Sequence, residues 1–381
     1  MQIVCYTISS TLDYVGKCEN ATSILWVRRF YQCDEFKLRI PATKENIRLF
    51  AKGNAIEVVP DYSMEKSYFC GIITSITMSH TVSGAQITVN GMSPDGFLER
   101  RIIQKYSEGR SFMGVISDNA GDDADVTRQF PATKILTSPN FNGVEVMLYK
   151  KVSDYVKKAG QELKVGLQSY INHNTNKFEI VARQSVDRSV NQNAVKPAIF
   201  SNEYENVSEF AYDYDENGIV TAIFVYSDEQ KNKISKYDID AYEHWNRKSV
   251  SNAFGRAEKA IKIQPITMTE NRVVNEQTGA SEDWTVLDEE KTALLGRQKS
   301  WSAYAYPAEF FDCQLLLNND YEKIFYLGDI ITLQNTEWGV TIDNYVTEIT
   351  HLYDKNGTKI TATLGEPYKT TFEIFTNRQE G

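Results

Sequence analysis

Asp213, Asp215 and Asn217, in the string DYDENG, are the residues whose types and spacing come nearest to a metal site. Carboxylate and amide oxygens at alternate positions can face one cation, as they do at the start of a calcium-binding loop. Such a loop ends at its twelfth position with a bidentate Glu, and that position here is Phe224. Asn-Gly is also a strong turn signal between two strands. We therefore predict a strand, a turn at Asn217-Gly218 and a second strand, without bound calcium.

Other candidate metal ligands give weaker signals. The loop with Gly121, Asp122, Asp123 and Asp125 could attract a cation, but a solvated loop is the simpler interpretation. No histidine has a second His or Cys at the spacing of a metal-ligand pair. The four histidines are His80, His173, His244 and His351. The sequence therefore predicts no metal site.

Cysteine usage indicates neither a disulfide framework nor a zinc site, because the number is odd and no CxxC pair occurs. The cysteines are Cys5, Cys18, Cys33, Cys70 and Cys313, and we expect reduced core residues.

Motifs of the common active-site classes are also missing: the chain has no GxSxG, HExxH, Walker A or GxGxxG. Two distant carboxylates that cleave a glycosidic bond leave no such signature, and the 51 acidic residues offer no basis for choosing a pair. We therefore predict no enzyme, and no catalytic, cofactor-binding or metal-binding residue.

Composition excludes a stable nucleic-acid binder. The 381 residues carry a net charge of -10, whereas gripping phosphates needs clustered Lys and Arg. No apolar run approaches the roughly 18 residues that cross a bilayer. The first residues, MQIVCYTISS, lack the pattern of a secretion signal. We expect folding in a cytoplasm and no stable membrane insertion.

The elements that would position these residues are mostly strands. The chain has 22 Tyr and 18 Phe, with Ile, Val and Thr in short runs, which favours β structure. Phe36, Leu38 and Ile40 alternate with charged residues, as in a strand with one buried face. Residues 1 to about 100 are predicted to form an antiparallel β domain.

Two helices are predicted between the β segments. Leu148–Leu163 has apolar residues at helical spacing, and Ser281 could cap a second helix over about 281–297. Glu270–Ala280 has no periodicity and is predicted to be a mobile loop.

The two ends of the chain share the spacing of six structural residues. Gly53, Ile56, Ile76, Gly84, Ile87 and Thr88 have counterparts in Gly328, Ile331, Ile349, Gly357, Ile360 and Thr361. The separation is 275 positions for the first two pairs and 273 for the other four. Hairpin glycines supply a positive φ, and alternating isoleucines fix the buried face. We predict a duplicated β domain.

Three stretches resemble siphophage tail hub proteins, a family that includes the N-terminal part of tail-associated lysins and the Gp37-like siphovirus tail proteins. They are FKLRIPATKENIRLF with the strands after it, FEIVARQSVDRSV with the strands after it, and YLGDIITLQNTEWGV near the end. The resemblance spans nearly the whole chain through a diffuse pattern of turns and strands. It is poor at Glu203–Val207 and at Asp238–Gly279.

The resemblance implies a mainly β (α+β) tail-hub fold. Its expected domains are a first, tube-docking β-barrel over 1–105, middle α+β domains over 106–309 and a second, related β-barrel over 310–381. It further implies a homotrimer whose six related barrels surround a channel at the tail tip of the virion. The expected partners are tail tube and distal tail proteins, the tape measure protein, and tip, fibre or receptor-binding proteins. DNA would pass only transiently, and no cofactor is expected.

Two alternatives remain open at this point. A tail-associated cell-wall hydrolase would need two buried carboxylates in a cleft. Family members that digest cell wall carry extra domains beyond the point where this chain ends, so we expect that activity from another protein. A receptor-binding adhesin would need an exposed aromatic groove, with Trp245 or Trp301 as candidates.

Overall fold

The chain divides by its internal contacts into two units. Unit 1 contains residues 1–213 and 309–381, and unit 2 contains residues 214–308. This computed structural model describes residues 1–59, 68–81, 84–105, 109–141, 148–215, 220, 222–227, 257–264, 266–275, 278–303, 308–315 and 321–365.

Strands dominate the described residues, as the sequence predicts. The strands are β1 (Gln2–Ile8), β2 (Leu12–Cys18), β3 (Ser23–Arg29), β4 (Glu35–Pro41), β5 (Ala55–Val59), β6 (Phe69–Thr81), β7 (Gly84–Met92), β8 (Thr133–Ile135), β9 (Val165–Asn172), β10 (Lys177–Gln184), β11 (Ile199–Ser201), β12 (Val207–Asp215), β13 (Ala222–Ser227), β14 (Glu258–Ile263), β15 (Thr267–Asn275), β16 (Ala280–Leu287), β17 (Ala308–Leu315), β18 (Ile330–Asn335), β19 (Val340–Asp354) and β20 (Gly357–Gly365). The α-helices are α1 (Lys44–Leu49), α2 (Phe112–Ala120), α3 (Val152–Leu163) and α4 (Glu289–Ala303). Two short 3-10 helices occupy Pro94–Arg100 and Val126–Arg128.

One large sheet runs through unit 1. Its order is β12-β17-β20-β19-β3-β4-β7-β6-β5-β1-β2, with β18 beside β19 and β11 beside β18. The mainly β fold class is therefore confirmed. The prediction of two β-barrels was wrong, because the described strands form large open sheets and no closed barrel. Alternation fixes which face of a strand is buried, but it does not say whether a sheet closes.

The same five-strand order occurs twice in this sheet. β3-β4-β7-β6-β5 forms the first copy, and β12-β17-β20-β19-β18 forms the second. Phe36 of β4 lies opposite Gly91 of β7, and Phe311 of β17 lies opposite Leu364 of β20. These positions are offset by 275 and 273 residues, the offsets found in the sequence. The predicted duplication thus holds in strand order and in register.

Backbone details repeat at the same offsets. Gly53 N donates to Ile73 O at 3.2 Å, and Gly328 N donates to Val346 O at 2.7 Å. Both glycines have a positive φ, 84° and 90°, which non-glycine residues rarely adopt. The repeat therefore extends to the left-handed glycine turns.

Each copy also has a β-bulge at the same place in its long strand. The register shifts at Thr74 in β6 and at Thr347 in β19. Thr74 Oγ1 donates to Asn90 O at 3.3 Å, and Thr347 Oγ1 donates to Thr363 O at 3.3 Å. A bulge adds one residue and bends its strand, so both copies bend at equivalent points.

The copies differ most in the connection after their first strand. In the first copy, residues 30–34 join β3 to β4, whereas in the second, unit 2 lies in the chain between β12 and β17. Loop tips tolerate such insertions, because few contacts cross them. The predicted ranges 1–105, 106–309 and 310–381 stay a prediction of domain organisation.

A smaller α+β module lies between the copies in the chain and belongs to unit 1. Its sheet has the order β8-β10-β9. The predicted helix is present as α3, and it buries Val152, Tyr155, Val156 and Ala159 in one core.

Unit 2 corrects two predictions. α4 begins at Glu289, whereas Ser281 lies in β16, and the predicted loop Glu270–Ala280 contributes to the hairpin β15–β16. Asp288 caps this helix, because its Oδ1 accepts from Lys291 N at 3.0 Å. Ser281 and Asp288 are both residue types that cap helices well. The helix begins after Asp288 because Ser281 is already paired with Val273 across the β15–β16 hairpin.

The glycine turns give a matched stability test. Gly53→Ala and Gly328→Ala should each cost about 1–2 kcal/mol, since an L-residue is strained at positive φ. A Cβ at Gly328 would also overlap the buried Phe30 ring, while nothing lies near a Cβ at Gly53. Gly328→Ala should therefore cost a further ~1–3 kcal/mol in urea unfolding. Equal losses for the two variants would contradict the close approach to Phe30.

Candidate functional site

The two copies join edge to edge where β3 pairs with β19. The antiparallel register runs from Ile24 opposite Tyr353 to Arg29 opposite Glu348. β18 pairs with the first half of β19, and β3 pairs with the second half. The first strand of copy one thereby extends the sheet of copy two, and this junction is the candidate functional site.

A buried ion pair lies at one end of the junction. Arg29 Nε is 3.0 Å from Glu348 Oε1, and both side chains are 5% exposed. Arg29 also donates to Glu35 Oε2 at 2.9 Å and to Cys33 O at 3.1 Å. Burial by itself lowers the pKa of Arg29, but attraction to Glu348 and Glu35 raises it overall. Three acceptors thus compensate the guanidinium for lost hydration.

An aromatic stack lies in the middle of the junction. The rings of Trp26 in β3 and His351 in β19 are parallel, with centroids 4.6 Å apart. Burial, with a smaller effect from the Arg28 charge, lowers the pKa of His351 to about 3. The imidazole is therefore neutral at physiological pH and packs as an aromatic ring.

A second buried charge fixes the chain that follows β10. Asp329, fully buried directly before β18, lies 2.8 Å from Arg188 Nε and 3.3 Å from Arg183 Nη2. At the equivalent position of copy one, Asn54 donates to Leu49 O at 3.0 Å. Where copy one has Asn54 bonded to a nearby carbonyl, copy two thus has Asp329 in ion pairs with two arginines that are distant in the chain.

A cavity of about 270 Å³ is lined in part by Arg28 of β3 and Arg183 of β10. Tyr321 and Tyr326 form further walls, and Glu322 is the one carboxylate among the described lining residues. Glu322 Oε1 lies 3.3 Å from Arg28 Nη1. This cavity therefore lacks the two facing carboxylates of a glycosidase.

Asp34 and Asp95 are further buried carboxylates, and both make bonds that serve the fold. Asp34 Oδ1 accepts from Arg29 N at 2.8 Å, and Asp95 Oδ1 accepts from Ser169 Oγ at 2.7 Å. Burial raises the pKa of both, that of Asp34 to about 7 despite the opposing charge of Arg28. Their bonds close a turn and tie the module to copy one.

The acidic loop that the sequence singles out makes local contacts. Asp123 Oδ2 accepts from Ser117 Oγ at 2.9 Å, and Asp125 Oδ1 accepts from Thr127 N at 2.9 Å. Among the described residues, no group of three His, Cys, Asp or Glu side chains could hold a metal ion. The five cysteines are reduced thiols; four of them are buried, and Cys33 is partly exposed.

Other sequence candidates fall outside the described part of the chain. They are the turn Asn217-Gly218, the side chains of Asp213 and Asp215, His244, Trp245 and the Trp301 side chain. The strands β12 and β13 on either side of that turn are present.

The junction residues carry no sequence signature, and sequence analysis missed them. Arg29 and Glu348 are separated by 319 positions. The one usable signal was the repeat itself, because Thr74 and Thr347 share its 273-residue offset.

A family model described as Siphovirus ReqiPepy6 Gp37-like protein matches residues 6–366. The chain belongs to this family. The predicted resemblance to siphovirus tail proteins is therefore confirmed. No curated protein matches the chain.

Two solved structures agree with a phage tail protein fold. The tail protein from Neisseria meningitidis MC58 is similar with a TM-score of 0.51 and 11% identity, over 96% of both chains. The 43 kDa tail protein of prophage MuSo2 from Shewanella oneidensis gives a TM-score of 0.51 and 12% identity, over 96% of this Gp37-like chain and 99% of that one. At such identities the likeness is one of fold. No helix among the described residues is long and apolar enough to cross a membrane.

Breaking the Arg29–Glu348 pair should be costly. Arg29→Met leaves a buried carboxylate without its main partner and should cost about 3–5 kcal/mol of unfolding free energy. The double variant Arg29→Met/Glu348→Met should recover part of that loss. Lys151→Met, which breaks an exposed pair with Glu99, should cost at most about 1 kcal/mol. Additive losses in the double variant, measured by urea unfolding, would show that the pair is not coupled.

The buried His351 should make stability pH-dependent. The unfolded histidine binds a proton below its ordinary pKa of 6.5, whereas the folded one does so only near 3. Acidification from pH 6.5 toward 3 therefore favours the unfolded chain, by up to about 1.4 kcal/mol per pH unit. The difference in unfolding free energy between wild type and His351→Gln should be constant above pH 7 and shift against wild type below 6.5. A difference independent of pH would contradict a buried neutral imidazole.

Proposed function

We propose that this Gp37-like protein is the hub at the distal end of a siphophage tail, where a homotrimer closes the tail tube. The single observation that supports the proposal is the duplicated five-strand unit, with equivalent register, bulges and glycine turns in both copies. A requirement for equivalent outward contacts would preserve this match after a duplication.

Symmetry gives the duplication a purpose. A tube built from rings of six subunits and a tip with threefold symmetry cannot meet through equivalent contacts unless one surface has both symmetries. Three chains with two matched copies each present six similar elements. In this proposal both copies face the tube, and the tip, fibre or receptor-binding proteins attach to features that occur once per chain.

The central channel of such a ring would let DNA pass without holding it. The net charge of -10 favours this, because retention would require neutralising phosphates with Lys and Arg. The proposed neighbours are the tail tube and distal tail proteins and the tape measure protein, within a virion assembled in the host cytoplasm.

We infer a structural role without catalysis. The described cavity has one carboxylate, already paired with Arg28, so it gives no support to a cell-wall hydrolase. The tryptophan candidates for an adhesin groove lie outside the described side chains, and no other observation favours that role.

The ring can be tested on purified protein. Light scattering should give a mass three times the 43.4 kDa of one chain, and negative-stain images should show an annulus with a central hole. Immunogold labelling of tail particles should mark one end of the tube. A monomer at high concentration with no place in tails would overturn the proposed function.

A further inference from the structure

The long strands β6 and β19 are equivalent, yet only one has both edges paired. β20 pairs with one edge of β19, while β18 and β3 share the other. β7 pairs with one edge of β6, while β5 pairs with its other edge only as far as Ile72. In the described chain, residues 75–80 of β6 therefore have no strand where β3 lies against residues 348–353 of β19.

Exposure reflects this difference. His351 is 8% exposed where β19 pairs with β3, whereas Met78, at the equivalent position 273 residues earlier, is 56% exposed. An unpaired strand edge with an exposed apolar side chain is a ready template for another strand.

The hairpin turns show which backbone groups face this edge. Thr81 and Gly84 close the β6–β7 hairpin as Asp354 and Gly357 close β19–β20. The direction of the backbone hydrogen bonds alternates along a strand. The backbone N–H and C=O groups of residues 75, 77 and 79 therefore bond to β7, and those of residues 76, 78 and 80 point away from β7, toward the edge without a strand. Phe30 N donates to Thr347 O at 2.9 Å, which gives the same alternation on the β3 side of β19.

β12 is the strand that could fill the vacant edge. It stands next to β17 in copy two as β3 stands next to β4 in copy one, and among the described strands it is the end strand of the sheet. β3 is buried along most of its length between two neighbours, whereas β12 has exposed residues directly after Val207, at Ser208 and Glu209. One chain therefore carries two complementary edges at the outer ends of its two copies.

We propose that residues 75–80 of β6 pair with β12 of a second copy of this chain, in the arrangement that β19 and β3 adopt within one chain. The proposal deepens the trimeric ring and rests on that function. Each chain supplies one internal junction, and each neighbouring pair supplies one of the proposed kind. Three chains then close a ring with six related junctions, because a head-to-tail contact closes when its rotation divides a full turn.

Met78→Pro tests the pairing directly. Proline removes the outward N–H of residue 78 and leaves the bonds to β7, which is why edge strands tolerate it. One lost ladder bond at each of three junctions should raise the concentration needed for trimer formation at least about tenfold. The matched control is Tyr14→Pro in β2, the end strand at the other side of the sheet. It should assemble like wild type.

Hydrogen exchange on the wild-type protein keeps the test decisive if Met78→Pro does not fold. Peptides that cover residues 75–81 and 207–213 should both gain protection when the trimer forms, with no such gain across β2. A trimeric annulus in which neither segment gains protection, or in which a folded Met78→Pro protein assembles like wild type, overturns the strand pairing and leaves the hub function standing. Failure of any trimer or tail-end location overturns both.

Discussion

The pairing of β3 with β19 is the constraint on which the rest of unit 1 depends. Residues from the beginning and the end of the chain meet there in one ladder, from Ile24–Tyr353 to Arg29–Glu348. The order of the large sheet follows, because copy two must place its strands so that this edge of β19 meets β3, the first strand of copy one. Closing such distant contacts costs considerable chain entropy, which the buried interface must offset.

The buried charges at this junction contribute more to fixing the register of β3 on β19 than to the stability of the fold. Arg29 and Glu348 would gain little over well-packed apolar residues, but each is costly without the other. A shifted register would separate them and would also separate Trp26 from His351. The pair therefore selects one alignment of the two copies, and Asp329 with its two arginines does the same for the chain that enters copy two.

Local patterns predicted much of this fold. Alternation found β4, helical spacing found α3, and the spacing of glycines and isoleucines revealed the repeat, because each signal comes from residues near one another in the chain. The predictions of closed barrels and of a helix that begins at Ser281 were wrong, because both features depend on partners far away in the chain. Ser281 is a good helix cap in isolation, but in the structure it pairs within β16. The junction itself could not be predicted, because nothing local links Arg29 to Glu348.

The central claim is that two matched copies in one chain act as two equivalent members of a ring. Electron cryo-microscopy of the isolated assembly tests it most directly. The account predicts six superposable five-strand units related by about 60° around the channel, with side chains that repeat only every second unit. A particle whose two copies face different directions, or lie at different distances from the axis, would contradict it.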